Sequence, residues 1–81
     1  MNKQQVLETV IEVVQAYAPQ GMRLASDTPL LELQIIDSFS LVNVMLELES
    51  RLGISITPAD LTFDHFHDCR LLADTLAERL L

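Results

Sequence analysis

A chain of 81 residues that is 49% hydrophobic, with two glycines and three prolines, is sized for one domain around one core and is too apolar to be disordered. Twelve acidic side chains against five basic ones give a net charge of −7, so nothing could neutralise phosphates and nucleic acid is excluded as a partner. A single cysteine excludes an internal disulfide and fits a reducing compartment.

No apolar run approaches membrane-spanning length, so no membrane insertion is expected, and the N-terminus lacks a signal-peptide pattern. A cytoplasmic, monomeric protein with one domain over 1–81 is the expectation. An acidic surface steers such a protein towards basic patches on others. With no Trp, one Tyr and three Phe, the core must be aliphatic.

Val6, Leu7, Val10, Ile11, Val13, Val14 and Tyr17 recur at three- and four-residue steps and predict a helix over 3–17. Asn2 and Gln5 form a capping-box pattern before it, and Pro19 and Gly21 end it. Residues 18–37 form a long connection. Within it "SDTPLLEL" has the form of one short turn, with Thr28 as cap and Pro29 at the first helical position. A connection this long in so small a domain is either functional or draped over the core.

A second helix is expected from Ser38 to Leu52, with Arg51 in its last turn and Gly53 as a left-handed cap. "GISIT" is too short to make a sheet of its own. "TPADL" repeats the Thr-Pro start and predicts a brief helix over about 58–63. Asp68 can cap a last helix striped by Cys69, Leu72, Ala73, Leu76 and Leu80. The fold class is all-α: a small bundle of three long helices and one short one.

The second helix carries two apolar stripes. Leu41, Val44, Met45, Leu48 and Leu52 follow the spacing of a core face. Phe39, Val42 and Leu46 form another, centred about 130° round the helix. Two arrangements are open: burial on both sides, with the 18–37 connection over the second stripe, or an exposed strip that binds something. Glu47 and Glu49 flank the strip and favour contact with a basic partner.

Ser38 also has two readings. It can cap the helix, since serine is a preferred N-cap, or its solvent-facing hydroxyl can be an attachment point where the helix dipole favours a phosphodiester. No Gly-x-Ser-x-Gly elbow surrounds it, so a catalytic serine is not expected.

"IIDSFSLVNVMLELESRLGI" resembles the Asp-Ser-Leu/Phe segment of the acyl carrier protein family, and the resemblance extends over essentially the whole chain. It implies a four-helix carrier protein, not an enzyme. The serine matching Ser38 would be esterified by a phosphopantetheinyl transferase with the 4'-phosphopantetheine arm of coenzyme A. Asp37 would help the transferase recognise the site. Phe39, Val42 and Leu46 would dock partners, with Glu49, and with it Glu47, as acidic contacts. Those partners would be an adenylating acyl or aminoacyl ligase and a downstream transferase or synthase.

Phe39 and the spacing through "DLTFDHF" are similar to D-alanyl carrier proteins and to stand-alone aminoacyl or peptidyl carriers. Secondary-metabolite, peptide or cell-envelope biosynthesis is therefore the implied setting. Asn43, where many fatty-acid carriers have an acid, and the positive Arg51 depart from the fatty-acid synthesis pattern. The Gly-Gly-x-Ser signature of carrier domains embedded in peptide synthetases is absent. From a different class, an unmodified helical adaptor could bind partners through the same strip.

"DHFHDC" at 64–69 holds two His, two Asp and one Cys, yet zinc sites need ligand pairs from separated segments, and there is no second cluster. No metal is expected. Phe66 is the buried residue of this stretch, and Cys69 falls on the core stripe of the last helix, where a free cysteine acts as a small hydrophobe.

Overall fold

The computed structural model describes residues 2–57 and 61–80. Among these residues the chain forms α1 (Lys3–Gln15), α2 (Ser40–Leu52), a single 3₁₀ turn (Phe63–Phe66) and α3 (Cys69–Leu80), with no strand. The brief helix expected over about 58–63 lies largely outside the described residues, which omit 58–60. The 3₁₀ turn follows at 63–66 and starts at Thr62. Thr62 and His65 cap each other, with the Thr62 N–H donating to His65 Nδ1 at 2.9 Å.

The capping box before α1 forms as the sequence implies. Gln5 N–H donates to Asn2 Oδ1 at 2.9 Å, and Asn2 N–H donates to Gln5 Oε1 at 2.9 Å. The helix ends at Gln15, two residues short of the expected end, because the Tyr17 N–H already turns back to the Val14 carbonyl at 2.9 Å. Gln15 then holds the connection that follows. Its side-chain amide donates to the Met22 carbonyl at 2.6 Å, and its oxygen accepts from Leu24 N–H at 2.9 Å. At the far end of α2, Gly53 adopts the left-handed conformation (φ 67°), and the Gly53 and Ile54 N–H groups both return to the Glu49 carbonyl.

α1 is the central element, packing against both α2 and α3, while α3 also holds the 3₁₀ turn. Val6, Val10, Val13 and Val14 from α1 meet Val44 and Leu48 from α2 and Leu72 and Leu76 from α3 in one continuous core. Phe66 is buried in it completely, as expected.

The 18–37 connection drapes over the core but does not cover the outer face of α2. Leu24, Leu30, Ile35 and Ile36 are buried, and its backbone is tied to the start of α3. Leu30 N–H donates to the His67 carbonyl at 2.8 Å, and Arg70 N–H donates to the Ser26 carbonyl at 2.9 Å. Thr28 does not cap the short turn. Its hydroxyl accepts instead from the Ala25 N–H at 2.8 Å, and the turn runs from the Pro29 carbonyl to the Leu33 N–H. Gln34, at φ 58°, closes that turn in the left-handed region, so that Ile35 and Ile36 N–H both return to the Leu30 carbonyl.

Asp68 caps α3, with Leu71 N–H donating to its Oδ1 at 2.7 Å. Cys69 follows it inside the core and is fully buried. Burial, and secondarily the Asp68 charge, pushes its thiol up to about 11. At pH 8 only about one thiol in a thousand would then be thiolate, the form that reacts. A thiol reagent should therefore label Cys69 slowly in the native protein and rapidly in denaturant. Equal rates in the two conditions would place the residue outside the core.

Candidate functional site at the start of α2

The hydrogen-bonded helix begins earlier than its regular geometry. Leu41 N–H donates to the Asp37 carbonyl at 2.9 Å, so Asp37 occupies the N-cap position and Ser38 the first position inside. Phe39 is already helical, with φ −81° and ψ −53°. The cap is a carboxylate. Asp37 Oδ1 accepts from Phe39 N–H at 2.9 Å and from Ser40 N–H at 2.8 Å. Ser40 answers it: its hydroxyl accepts from Asp37 N–H at 3.0 Å and lies 3.1 Å from Oδ1, positioned to donate to it.

These donors hold the Asp37 carboxyl below its ordinary 3.8, the Ser40 amide contributing most and the Ser40 hydroxyl next. A carboxyl whose folded value is depressed stabilises the fold above its unfolded value. That contribution is lost as pH falls through the lowered folded one.

Ser38 is therefore not the cap that serine chemistry alone would allow. Its side chain is exposed, and among the described residues its hydroxyl has no hydrogen-bond partner. A shallow hollow lined by Ser38, Phe39, Val42 and Asn43 lies beside it.

The two stripes of α2 separate cleanly. Val44 and Leu48 are 0% exposed, with Leu41, Met45 and Leu52 packed partly against the core. Phe39, Val42 and Leu46 are 86%, 54% and 58% exposed, so burial on both sides of the helix does not occur. Beside this strip an open apolar groove of about 370 Å³ is lined by Leu41, Met45 and Glu49 of α2 and by Ile56 and Leu61, among others.

The two glutamates that flank the strip both have partners within the chain. Glu49 is half-buried, and its Oε2 accepts from Ile56 N–H at 2.7 Å, which fixes the far wall of the groove. Glu47 lies 3.4 Å from Arg51, whose guanidinium also reaches Glu12 of α1 at 2.8 Å. The positive charge at Arg51 is thus answered on its own surface.

Three features of the site were not read from the sequence. Ile56 and Leu61 line the groove from a segment with no periodicity of its own, and no local signal marks them. Ser40 had a signal. Asp37-x-x-Ser40 has the spacing of a reciprocal cap, the same spacing that Asn2 and Gln5 displayed.

The histidines of "DHFHDC" have structural occupations. His65 closes the 3₁₀ cap, and His67 lies 3.2 Å from Asp68. Among the described residues no three His, Cys, Asp or Glu side chains converge on a possible metal position, and no helix is long and apolar enough to cross a membrane.

The start of α2 fits a covalently attached phosphodiester. The Ser38 hydroxyl is accessible, takes part in no hydrogen bond that esterification would break, and sits at the positive end of a helix. No curated protein matches the chain. The family model for the phosphopantetheine attachment site matches residues 4–76. Domains of that family carry 4'-phosphopantetheine covalently on a serine and are carriers, not catalysts. A match over nearly the whole length, on a helical chain with an accessible serine at a capped helix start, makes this protein a member of the phosphopantetheine attachment family, as its likeness to acyl carrier proteins implied.

Proposed function

We propose that Ser38 bears the 4'-phosphopantetheine arm and that the protein carries an acyl or aminoacyl group between enzymes. The observation that carries this reading is the unpartnered, exposed Ser38 hydroxyl standing next to an exposed apolar strip on the same helix. The arm supplies a terminal thiol on which cargo is held as a thioester. The chain's own residues do the rest: Asp37 starts the helix, Ser38 presents the oxygen, and Phe39, Val42 and Leu46 are the face offered to partners. Among the described residues the Asp37 cap bonds fall on Oδ1, and Oδ2 would be the oxygen offered to a phosphopantetheinyl transferase.

Three α-helices and the 3₁₀ turn at Phe63–Phe66 support a four-helix carrier bundle as the arrangement. An adenylating ligase would load the arm, and a transferase or synthase would unload it. Phe39 and the spacing of the second half support an aminoacyl, peptidyl or D-alanyl type of carrier, working in secondary-metabolite, peptide or cell-envelope biosynthesis. A strip of three side chains suits partners that must let go, because stable complexes bury on the order of 1,600 Å². Glu47 keeps an exposed carboxylate beside the strip and remains the better acidic contact. Glu49 can contribute only with the oxygen that does not hold Ile56.

Incubation with coenzyme A, magnesium and a broad-specificity phosphopantetheinyl transferase should add one group of roughly 340 Da, and Ser38→Ala should abolish the addition. An unmodified mass, or modification at another serine, would sink the carrier reading and leave the adaptor in its place.

The two faces of α2 give a second test. Leu48→Ala removes a fully buried side chain and should cost about 2–5 kcal/mol. Val42→Ala and Leu46→Ala should each cost well under about 1 kcal/mol, yet weaken loading by the ligase or modification by the transferase. Thermal melts beside one loading assay measure both effects. If Leu46→Ala melts as early as Leu48→Ala, the strip is core and the docking face lies elsewhere.

A further inference from the structure

Asp37 and Ser38 are adjacent, and both are side chains that cap helices well. Two starts for α2 are therefore available to this sequence. In one, Asp37 caps and the Ser38 hydroxyl is free. In the other the start moves on by one residue, Ser38 becomes the cap, and its oxygen accepts from the amide of residue 40 or 41. The second start would occupy the oxygen that must be esterified. The structure shows the first.

What separates the two is Ser40. Asp37 alone satisfies the amides of Phe39 and Ser40, but its own N–H would then be left without a partner at the helix end. The Ser40 hydroxyl takes that N–H at 3.0 Å and lies within hydrogen-bond distance of Asp37 Oδ1, at 3.1 Å. This closes a ring that exists only when Asp37 is the cap. In the shifted start the ring is broken, and nothing among the described residues replaces it.

We infer that Ser40 is a positioning residue for arm attachment: by closing the ring with Asp37 it selects the helix start that keeps the Ser38 hydroxyl free. The inference rests on the assignment of the arm to Ser38. It gives Asp37 a part in attachment through the cap, separate from any contact of its Oδ2 with the transferase.

The test combines transferase kinetics with amide exchange, using wild type, Ser40→Ala and Ser40→Thr. A cap exchange of this size changes populations by roughly 3- to 30-fold. Ser40→Ala should therefore lower kcat for modification several-fold while KM stays within about twofold, and Ser40→Thr, which keeps the hydroxyl, should restore kcat. A spectroscopic signature accompanies this. In Ser40→Ala the Phe39 amide should lose its protection from exchange, while the amide of residue 40 keeps it through the Ser38 oxygen.

An unchanged kcat, or a change carried wholly by KM, would overturn the inference. Loss of protection at both amides would also overturn it, since that is fraying rather than a shifted start. The two readings fail differently. A wild-type protein that takes no phosphopantetheine at all removes the carrier assignment, and this inference with it. A normally modified wild type matched by Ser40→Ala removes only the role of Ser40.

Discussion

The start of α2 hangs on one carboxylate oxygen. A helix begins with N–H groups that have no partner in the helix itself, and a serine beside them is ordinarily drawn in to supply one. Asp37 Oδ1 takes two of those amides and lies 3.1 Å from the Ser40 hydroxyl. The serine between them is left with nothing to do structurally. With Asp37 at the cap, Phe39 falls on the face of Val42 and Leu46, while Leu41, Val44 and Leu48 fall on the face of α1. A one-residue change in the start would not rotate the helix, but it would engage the Ser38 hydroxyl that the proposed attachment needs free.

The bare strip has its cause in the packing. α1 lies between the other two helices, so α2 has one long neighbour and needs only one buried stripe. In a chain of this size there is not enough remaining structure to cover a second one. The 18–37 connection could have done so, but its four buried side chains and its bonds to His67 and Arg70 hold it against the core and the start of α3. The Arg51 contacts to Glu12 and Glu47 orient the end of α2 without adding much stability, because all three side chains are largely exposed. The net charge of −7 keeps such a surface dispersed while it favours basic partners.

The sequence made the three long helices legible because each carries a strong apolar period. It also disclosed the Asn2–Gln5 and Asp68 caps, the Gly53 stop and the two stripes of α2. What it could not decide was whether the second stripe is covered, since that depends on where a twenty-residue connection lies. The ties from Gln15, His67 and Arg70 that settle this are tertiary and leave no local trace. The 3₁₀ turn at 63–66 went unread because its Thr62-x-x-His65 cap closes through a ring nitrogen rather than the Glu or Gln side chain of the usual capping box. At Ser38 the residues alone left cap and attachment both open, and the family resemblance was what favoured attachment. Asp and Ser are comparable caps, and choosing between them takes the third participant, Ser40, whose spacing was visible but whose hydrogen bonds were not.

These ties also distribute rigidity around the site. On one side, the connection is fixed by the Gln15 bridge, by the backbone pair with the start of α3, and by Arg70 reaching the Ser26 hydroxyl at 3.1 Å. Opening it would expose Leu24, Leu30, Ile35 and Ile36 together, which burial energetics oppose strongly. On the other side, the groove wall is tied as well: the Ile56 amide donates to Glu49 of α2, the Ser55 carbonyl accepts from Arg79 of α3 at 3.2 Å, and Ile56 and Leu61 are buried in the core. The Asp37 cap closes within residues 37–40, so the start of α2 is held by its own bonds rather than by either neighbouring segment. On the proposed assignment of the arm to Ser38, its oxygen is presented from a fixed helix start beside an exposed apolar strip.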